Sequence, residues 1–255
     1  MKKNKKIYQV SAILIVAVVM LLSSCKKEDL NDPNSSTPAG TTDASSRNVN
    51  SLVYPATAHM HGAAYSTWTG RWWKWALELP PAANHPFNDD PGFDVTMGQT
   101  GNVWYLAGVF GTSTRTCTVP HGNSLLVAIA NAEASDLEGL GATYQDRLST
   151  ANFFANHIIP SSVFCNIDGS DIQSVSSNYR FVSPEFTFDA PSPWYYGATG
   201  GHATSVSDGY FVMIKQLKKG NHTLHFGGSF HFSVAEGDPF DFDASIDQTY
   251  HLTIN

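Results

Sequence analysis

The sequence is poor in charged side chains and in long apolar runs, and each scarcity argues against a class of protein. Charged residues make up 15% of the 255 positions, and 22 acidic residues outnumber 15 basic ones. Such a chain is a poor nucleic-acid binder, because phosphate contacts need a basic face. The most apolar run spans residues 7–22, fewer than the roughly 20 residues that cross a bilayer.

The usual catalytic motifs are also missing from the sequence. It contains no Gly-x-Ser-x-Gly elbow, no phosphate loop and no His-Glu-x-x-His helix motif. Nucleophilic catalysis of the serine-hydrolase type and nucleotide chemistry of the P-loop type therefore have no support in the sequence.

What is present begins with a targeting segment. A charge-free run at 7–22 follows a basic cluster and ends at Leu22-Ser23-Ser24-Cys25; the cluster consists of Lys2, Lys3, Lys5 and Lys6. This layout is typical of a secretory signal peptide. The four residues ending at Cys25 resemble the lipobox of bacterial lipoproteins. The resemblance implies cleavage before Cys25, fatty acylation of its thiol and acylation of the new amine; the alternative is a plain transmembrane anchor.

The segment after Cys25 predicts a tether and a location. Residues 26–50 are rich in Ser, Thr, Asn, Asp, Pro and Gly, and bury too little apolar surface to fold. Lys27-Glu28-Asp29 resembles a surface-export signal of some Gram-negative lipoproteins, which favours the outer face of the outer membrane over the periplasmic face. Without residues 1–24 the formal charge falls from −7 to −11, so lipid rather than surface charge would hold the protein at an anionic bilayer.

The remaining residues, 51–255, predict a single mainly β domain of the β-sandwich or jelly-roll type, decorated by two α-helices. Short apolar runs separated by Gly, Asn and Asp are typical of strands in such a fold. One helix is predicted from Ser66 to Leu79, where Trp68, Trp72 and Trp75 recur at helical spacing. A second is predicted between Tyr144 and Pro160.

Two cysteines remain once Cys25 carries lipid. Cys117 and Cys165 both lie in strand-like segments, and an oxidising compartment favours a disulfide between them. Two buried, unbonded thiols are the alternative.

A histidine face is the sharpest metal candidate. If Gly227-Gly228-Ser229 is a three-residue hairpin loop, His225 lies opposite His231, and His251 joins them when the last strand lies alongside. Imidazoles at that spacing suit Zn or Cu. His59 and His61 form a further His-x-His pair, but nothing in the sequence indicates that they lie near the hairpin. The alternative is a set of solvated side chains.

Acidic turns suggest a weaker metal candidate. Oxygen ligands in loops suit Ca, although neither acidic run has the spacing of an EF-hand loop, so solvated turns are the alternative. The two runs are Asp89, Asp90 and Asp94, and Asp238, Asp241, Asp243 and Asp247.

The loop from Pro191 to Gly197 is the candidate ligand site. It carries Trp194, Tyr195 and Tyr196 between prolines and glycines, and exposed aromatic rings on a sandwich loop can stack on sugars. The alternative is a loop folded back onto the core. Among the helix tryptophans, Trp73 lies off the apolar stripe and is the one to watch for a role in binding.

Several segments resemble a group of uncharacterised secreted bacterial proteins. They are 71–77, 101–108, 115–120 and 208–222, which contain Arg-Trp-Trp-Lys-Trp, Gly-Asn-Val-Trp-Tyr, Arg-Thr-Cys-Thr-Val-Pro and Asp-Gly-Tyr. The resemblance implies no activity. The sequence thus leaves three hypotheses: a non-catalytic module that binds a glycan or small ligand, a metal-dependent enzyme using the histidine face, and a structural envelope protein.

Replacing Cys25 with Ser tests the lipobox. We expect the variant to leave the membrane fraction without unfolding residues 51–255, because acyl chains are the predicted anchor. Membrane fractionation combined with circular dichroism measures both effects. A variant that stays membrane-bound after signal processing contradicts the prediction.

Overall fold

The structure is a computed structural model that describes residues 49–82, 85–88 and 96–255. Its architecture is mainly β, with two large sheets, a small hairpin and a few helices, which confirms the predicted fold class. The predicted lipid site Cys25, the tether up to residue 48 and the acidic run Asp89, Asp90 and Asp94 lie outside the described residues. The last two residues of the predicted tether begin a short 3-10 helix, Val49–Leu52. No helix within the described ranges is long and apolar enough to cross a membrane.

The first sheet, sheet A, is built around two long antiparallel strands. Its strand order is β3-β5-β10-β8, and β9 also pairs with β10. β3 runs parallel to β5, while the other pairs are antiparallel. The strands are β3 (Val103–Leu106), β5 (Ser124–Ser135), β8 (Arg180–Val182), β9 (Phe186–Ala190) and β10 (Gly201–Ile214).

The second sheet, sheet C, has the order β12-β11-β6-β7. β4 lies along the outer side of β12, where backbone bonds join Val119 and His121 to Asn255. The strands are β4 (Gly111–Val119), β6 (Phe164–Ile167), β7 (Ser170–Asp171), β11 (Gly220–Phe232) and β12 (Phe242–Ile254). A separate two-stranded hairpin is formed by β1 (His59–Met60) and β2 (Ala63–Ala64).

Three α-helices accompany the sheets: α1 (Tyr65–Glu78), α2 (Tyr144–Asn156) and the short α3 (Val175–Asn178). α1 begins after Ala64, without a side-chain cap, and ends before the pair Pro80-Pro81. α2 begins with a capping box, in which Thr143 and Asp146 each bond the other's backbone N–H. The two longer helices confirm the predicted pair, with boundaries shifted by a residue or two.

Sheet A is buried on both faces, which gives the domain three layers. Odd-numbered residues at the start of β5 pack against sheet C, where they meet Phe226 and Tyr250. Even-numbered residues, such as Leu126, pack against the tryptophans of α1. The Trp72 ring lies 6.0 Å from Phe211 of β10. A strand that is covered on both faces needs a continuous apolar run, which Leu125 to Ala130 supplies.

A β-bulge interrupts the pairing of β5 with β10. Tyr210 pairs with Ala130, but Phe211 pairs with Ala128, so Ile129 is an extra residue on β5. A bulge reverses which face the following side chains occupy. Ile129 and Ala130 consequently both enter the core between the sheets.

The predicted hairpin at Gly227-Gly228-Ser229 is wrong. These residues continue a single 13-residue strand, β11, that pairs with β12 along its whole length. Gly227 and Gly228 are needed for packing rather than for a turn: a Cβ on Gly227 would lie 2.1 Å from the Ile246 carbonyl oxygen. Glycine in a strand interior therefore marks close backbone approach here.

The predicted Cys117–Cys165 disulfide is not formed. Both residues are buried thiols, one on β4 and the other on β6, with β12 and β11 between them. Three strand spacings amount to about 14 Å, well beyond the reach of a disulfide. Burial raises the pKa of the Cys165 thiol, which keeps it protonated and unreactive.

Two glycines with positive φ allow a matched stability test. Gly209 has φ +151° and a Cβ there would lie 2.4 Å from the Asn131 Cα, whereas Gly220 has φ +130° and open space. We expect Gly209→Ala to cost about 1–3 kcal/mol more in the free energy of unfolding than Gly220→Ala, because it adds overpacking to backbone strain. Urea unfolding of both variants measures the difference, and equal losses would contradict the close approach at the bulge.

Candidate functional site

A cleft of about 230 Å³ opens where sheet A, sheet C and α1 meet. β3 pairs with β5 at 124–127, so within the described ranges no strand borders that edge of β5 from Ala128 onward. Side chains of α1 and β5, together with Tyr195 and Tyr196 of the aromatic loop, line one side. Phe230 and Phe232 of β11, with Phe242 and Ile246 of β12, line the other. The walls are therefore largely apolar and aromatic.

Two acidic side chains break this apolar lining. Glu133 lies on β5 past the bulge, where the reversed alternation turns it away from the core between the sheets. Glu138 lies in the turn that follows β5, and both residues line the cleft. Glu133 is buried, with 6% of its surface exposed, and Glu138 is half-buried.

The two carboxyl groups are within hydrogen-bonding reach of each other. The Ser205 hydroxyl donates to Glu133 Oε2, and the Ser135 hydroxyl donates to Glu138 Oε2 at 2.7 Å. Burial, and then the neighbouring Glu138, raise the pKa of Glu133 well above its usual range. Burial also raises the pKa of Glu138. Adjacent buried carboxyl groups favour a shared proton, because two charges in contact repel each other.

Aromatic rings form a continuous wall beside the acidic pair. Trp73 and Phe87 have ring centroids 5.7 Å apart, and Phe87 stacks on Tyr196 at 6.3 Å. Tyr195 lies edge-on to both Phe87 and Tyr196, at 5.2 Å from each. Burial, and then the charges of Glu138 and Glu133, raise the pKa of Tyr196. The Tyr196 hydroxyl therefore interacts electrostatically with the acidic pair.

Two buried residues hold this wall in place. His85 accepts the Phe87 N–H at Nδ1, so Nε2 carries the proton and donates to the Ala76 carbonyl at 3.1 Å. Burial lowers the pKa of His85 to about 4, which keeps the ring neutral and stacked on Tyr195 at 4.3 Å. Arg115 donates from β4 to the carbonyls of Pro86 and Asn88. Neither residue is marked by a motif in the sequence.

One of the residues that line the cleft, Trp73, has an indole Nε1–H with no hydrogen-bond partner among the described residues. Trp73 is 7% exposed. Buried polar groups in native proteins normally have partners, and leaving one unpaired costs roughly 1–3 kcal/mol. A bound ligand with an acceptor atom is one way in which this buried indole donor would be satisfied.

The predicted aromatic loop divides between core and cleft. Trp194 is buried, with 5% exposed, and packs on Phe188 at 6.1 Å, so it is a core residue. Tyr195 and Tyr196 line the cleft, and the Tyr195 hydroxyl donates to Asn88 Oδ1 at 3.1 Å. The sequence could not predict which of the three is buried, because their burial depends on how the loop folds back onto the domain.

The predicted metal triad does not converge. His225 and His231 lie six residues apart on the single strand β11, which separates them by about 20 Å. His225 bonds Asp247 and His231 bonds Asp243, each at 2.6 Å, while His251 pairs across the strands with Thr223. Among the described residues no group of three or more His, Cys, Asp or Glu side chains could hold a metal.

The other metal candidates are equally dispersed. His61 bonds the Ser124 hydroxyl at 3.0 Å, on the far side of sheet A from β11, and His59 lies on the same small hairpin. Asp238 bonds His157, and Asp241 accepts the Val234 N–H. The C-terminal acidic run that suggested calcium is thus used in pairing with histidines and backbone.

Comparisons with known proteins add no functional information. No family model and no curated protein matches this sequence. A solved structure titled "Solution Structure of Amebosin" is similar over 55% of this chain and 88% of its own, at 10% identity. Its TM-score of 0.16 is too low to carry an argument.

The raised pKa of Glu133 predicts a pH-dependent stability. The folded state holds a proton that the unfolded state releases above about pH 4.3, so Glu133 makes the protein less stable as pH rises above that value. We expect the melting temperature of Glu133→Gln to fall less between pH 5 and 8 than that of the wild type. Asp171→Asn, an exposed change, is the control, and parallel curves for wild type and Glu133→Gln would contradict the prediction.

Proposed function

We propose that this protein is a lipid-anchored lipoprotein of the bacterial outer membrane, whose domain is a non-catalytic module that binds a small, largely apolar ligand in the cleft. The observation that carries the proposal is an aromatic cleft whose lining includes the acidic pair Glu133 and Glu138 and also Trp73, whose indole N–H has no partner among the described residues. Apolar walls with a few placed polar groups are the usual composition of a ligand pocket.

The size of the cleft favours a small ligand. A volume of about 230 Å³ lies below the roughly 300–1,000 Å³ of pockets that take drug-sized molecules. The walls offer few hydrogen-bonding groups for the many hydroxyls of a sugar, and Trp194 is buried. A glycan is therefore less favoured than a compact apolar molecule with one polar end.

The carboxyl pair does not favour glycoside hydrolysis. Retaining enzymes need their carboxyl groups about 5–5.5 Å apart and inverting enzymes need more, whereas Glu133 and Glu138 are within hydrogen-bonding reach. The hypothesis of a metal-dependent enzyme depended on the convergence of His225, His231 and His251. These three residues do not converge, so the hypothesis loses its support. A purely structural envelope protein remains the alternative if the cleft binds nothing.

Filling the cleft tests the proposal. Ala132 lines it, so we expect Ala132→Trp to abolish binding, while Thr118→Trp on the exposed side of β4 leaves binding intact. A panel of small apolar compounds, both neutral and charged and including indole, is scored by thermal shift. A ligand at a hundred times its Kd should raise the melting temperature of the wild type by about 5–10 °C.

The control variant separates specific from general effects. A compound that stabilises the wild type and Thr118→Trp but not Ala132→Trp supports the cleft as the binding site. If no compound of the panel shifts the wild type, or if Ala132→Trp responds as the wild type does, the proposal fails and a structural role becomes the better account.

A further inference from the structure

The acidic pair lacks a cationic partner in the part of the chain that the structure describes. The lysine and arginine ion pairs there join Lys74 to Glu78, Arg147 to Glu185 and Arg180 to Asp208, and none reaches Glu133 or Glu138. Burying a carboxylate is costly unless it is paired. The pair must therefore share a proton or receive a positive charge from a ligand.

The surroundings of the pair distinguish between kinds of cation. Calcium takes six to eight oxygen ligands, and the described residues offer no group of three suitable side chains. The other groups that line the cleft near the carboxyls are instead aromatic rings, namely Tyr196, Phe87, Tyr195 and Trp73. Aromatic rings attract organic cations such as quaternary ammonium groups, and the attraction grows when the cation is desolvated.

The unpartnered indole adds a second requirement. Trp73 Nε1 can only donate a hydrogen bond, so the ligand needs an acceptor such as a hydroxyl or carbonyl oxygen. The acidic charge of the whole chain, −7, also favours the approach of cations over anions.

We propose that the cleft binds a small organic ammonium ion that also carries an oxygen acceptor, with Glu133 and Glu138 as counter-ions and the rings of Trp73, Phe87, Tyr195 and Tyr196 as its cage. This inference rests on the proposed function, because it names the ligand class of the same cleft. It requires the ligand to carry a positive charge, whereas the proposed function requires only a small, largely apolar molecule.

Choline and its neutral carbon isostere, 3,3-dimethylbutan-1-ol, form a matched pair of probes. They share shape and hydroxyl group and differ in the charge. Calorimetric titration of the purified protein should show choline binding at least tenfold more tightly than the isostere. Equal affinities, or tighter binding of the isostere, would overturn the inference.

Variants at the carboxyl groups test their role as counter-ions. Glu133→Gln combined with Glu138→Gln should weaken choline binding about tenfold or more and weaken isostere binding far less, because the shape of the cleft is kept and only the charge is removed. Phe87→Leu should weaken choline binding more than isostere binding, and Glu236→Gln should change neither. Choline binding that survives the double variant would overturn the inference, and circular dichroism of each variant confirms that it is folded.

A pH titration supplies an independent readout. Choline affinity should fall as the pH is lowered and the pair takes up protons, and the double variant should lose this dependence. The groups that face the pair are the Ser205 and Ser135 hydroxyls, Tyr196, Asp136 and, through Asp136, Arg147. A dependence that persists in the double variant would assign the effect to Asp136 and overturn the inference.

Failure of the inference and failure of the proposed function give different results. If a neutral apolar compound binds and Ala132→Trp blocks it, while choline does not compete, the cleft is a ligand site but not an ammonium site. If neither choline nor any compound of the panel binds, both proposals fail together. Competition by calcium with no preference for choline over its isostere would replace the ammonium with a metal ion and also overturn the inference.

Discussion

Burial of sheet A on both faces is the constraint on which the rest of the structure depends. β5 and β10 lie between sheet C and the tryptophan-rich helix α1, so their side chains must be apolar in both directions. Three layers form because α1 covers one face of these strands, while sheet C and α2 cover the other. The indole of Trp72 shows how close this packing is, since its Nε1 reaches the Leu106 carbonyl at 3.2 Å.

The cleft exists because β5 is covered by its neighbours for only part of its length. β3 covers the edge of β5 only at 124–127, and the bulge at Ile129 then reverses the side-chain alternation. Glu133 is carried by this reversal into an apolar environment beside Glu138, where serines stabilise both carboxyls. One inserted residue thus converts a core strand into the floor of a site that holds an acidic pair.

The parts of the fold that could be predicted from the sequence were the elements with a local hydrophobic periodicity. The spacing of Trp68, Trp72 and Trp75 predicted α1, and the apolar run at 125–130 matched the buried half of β5. The pairing of the strands was harder to predict, because a Gly-Gly pair is equally typical of a turn and of a close approach between two strands. The hairpin at 227–229 failed for that reason, and the histidine triad failed with it.

The sequence by itself determined the β-rich class, the two longer helices and the absence of familiar catalytic motifs. Each depends on neighbours along the chain, which composition and periodicity record directly. Tertiary structure alone decided that Trp194 is core, that Tyr195 and Tyr196 face a cleft, and that Glu133 meets Glu138. Those outcomes depend on a bulge, an uncovered strand edge and a loop held by His85 and Arg115, which bring distant residues together without leaving a local pattern.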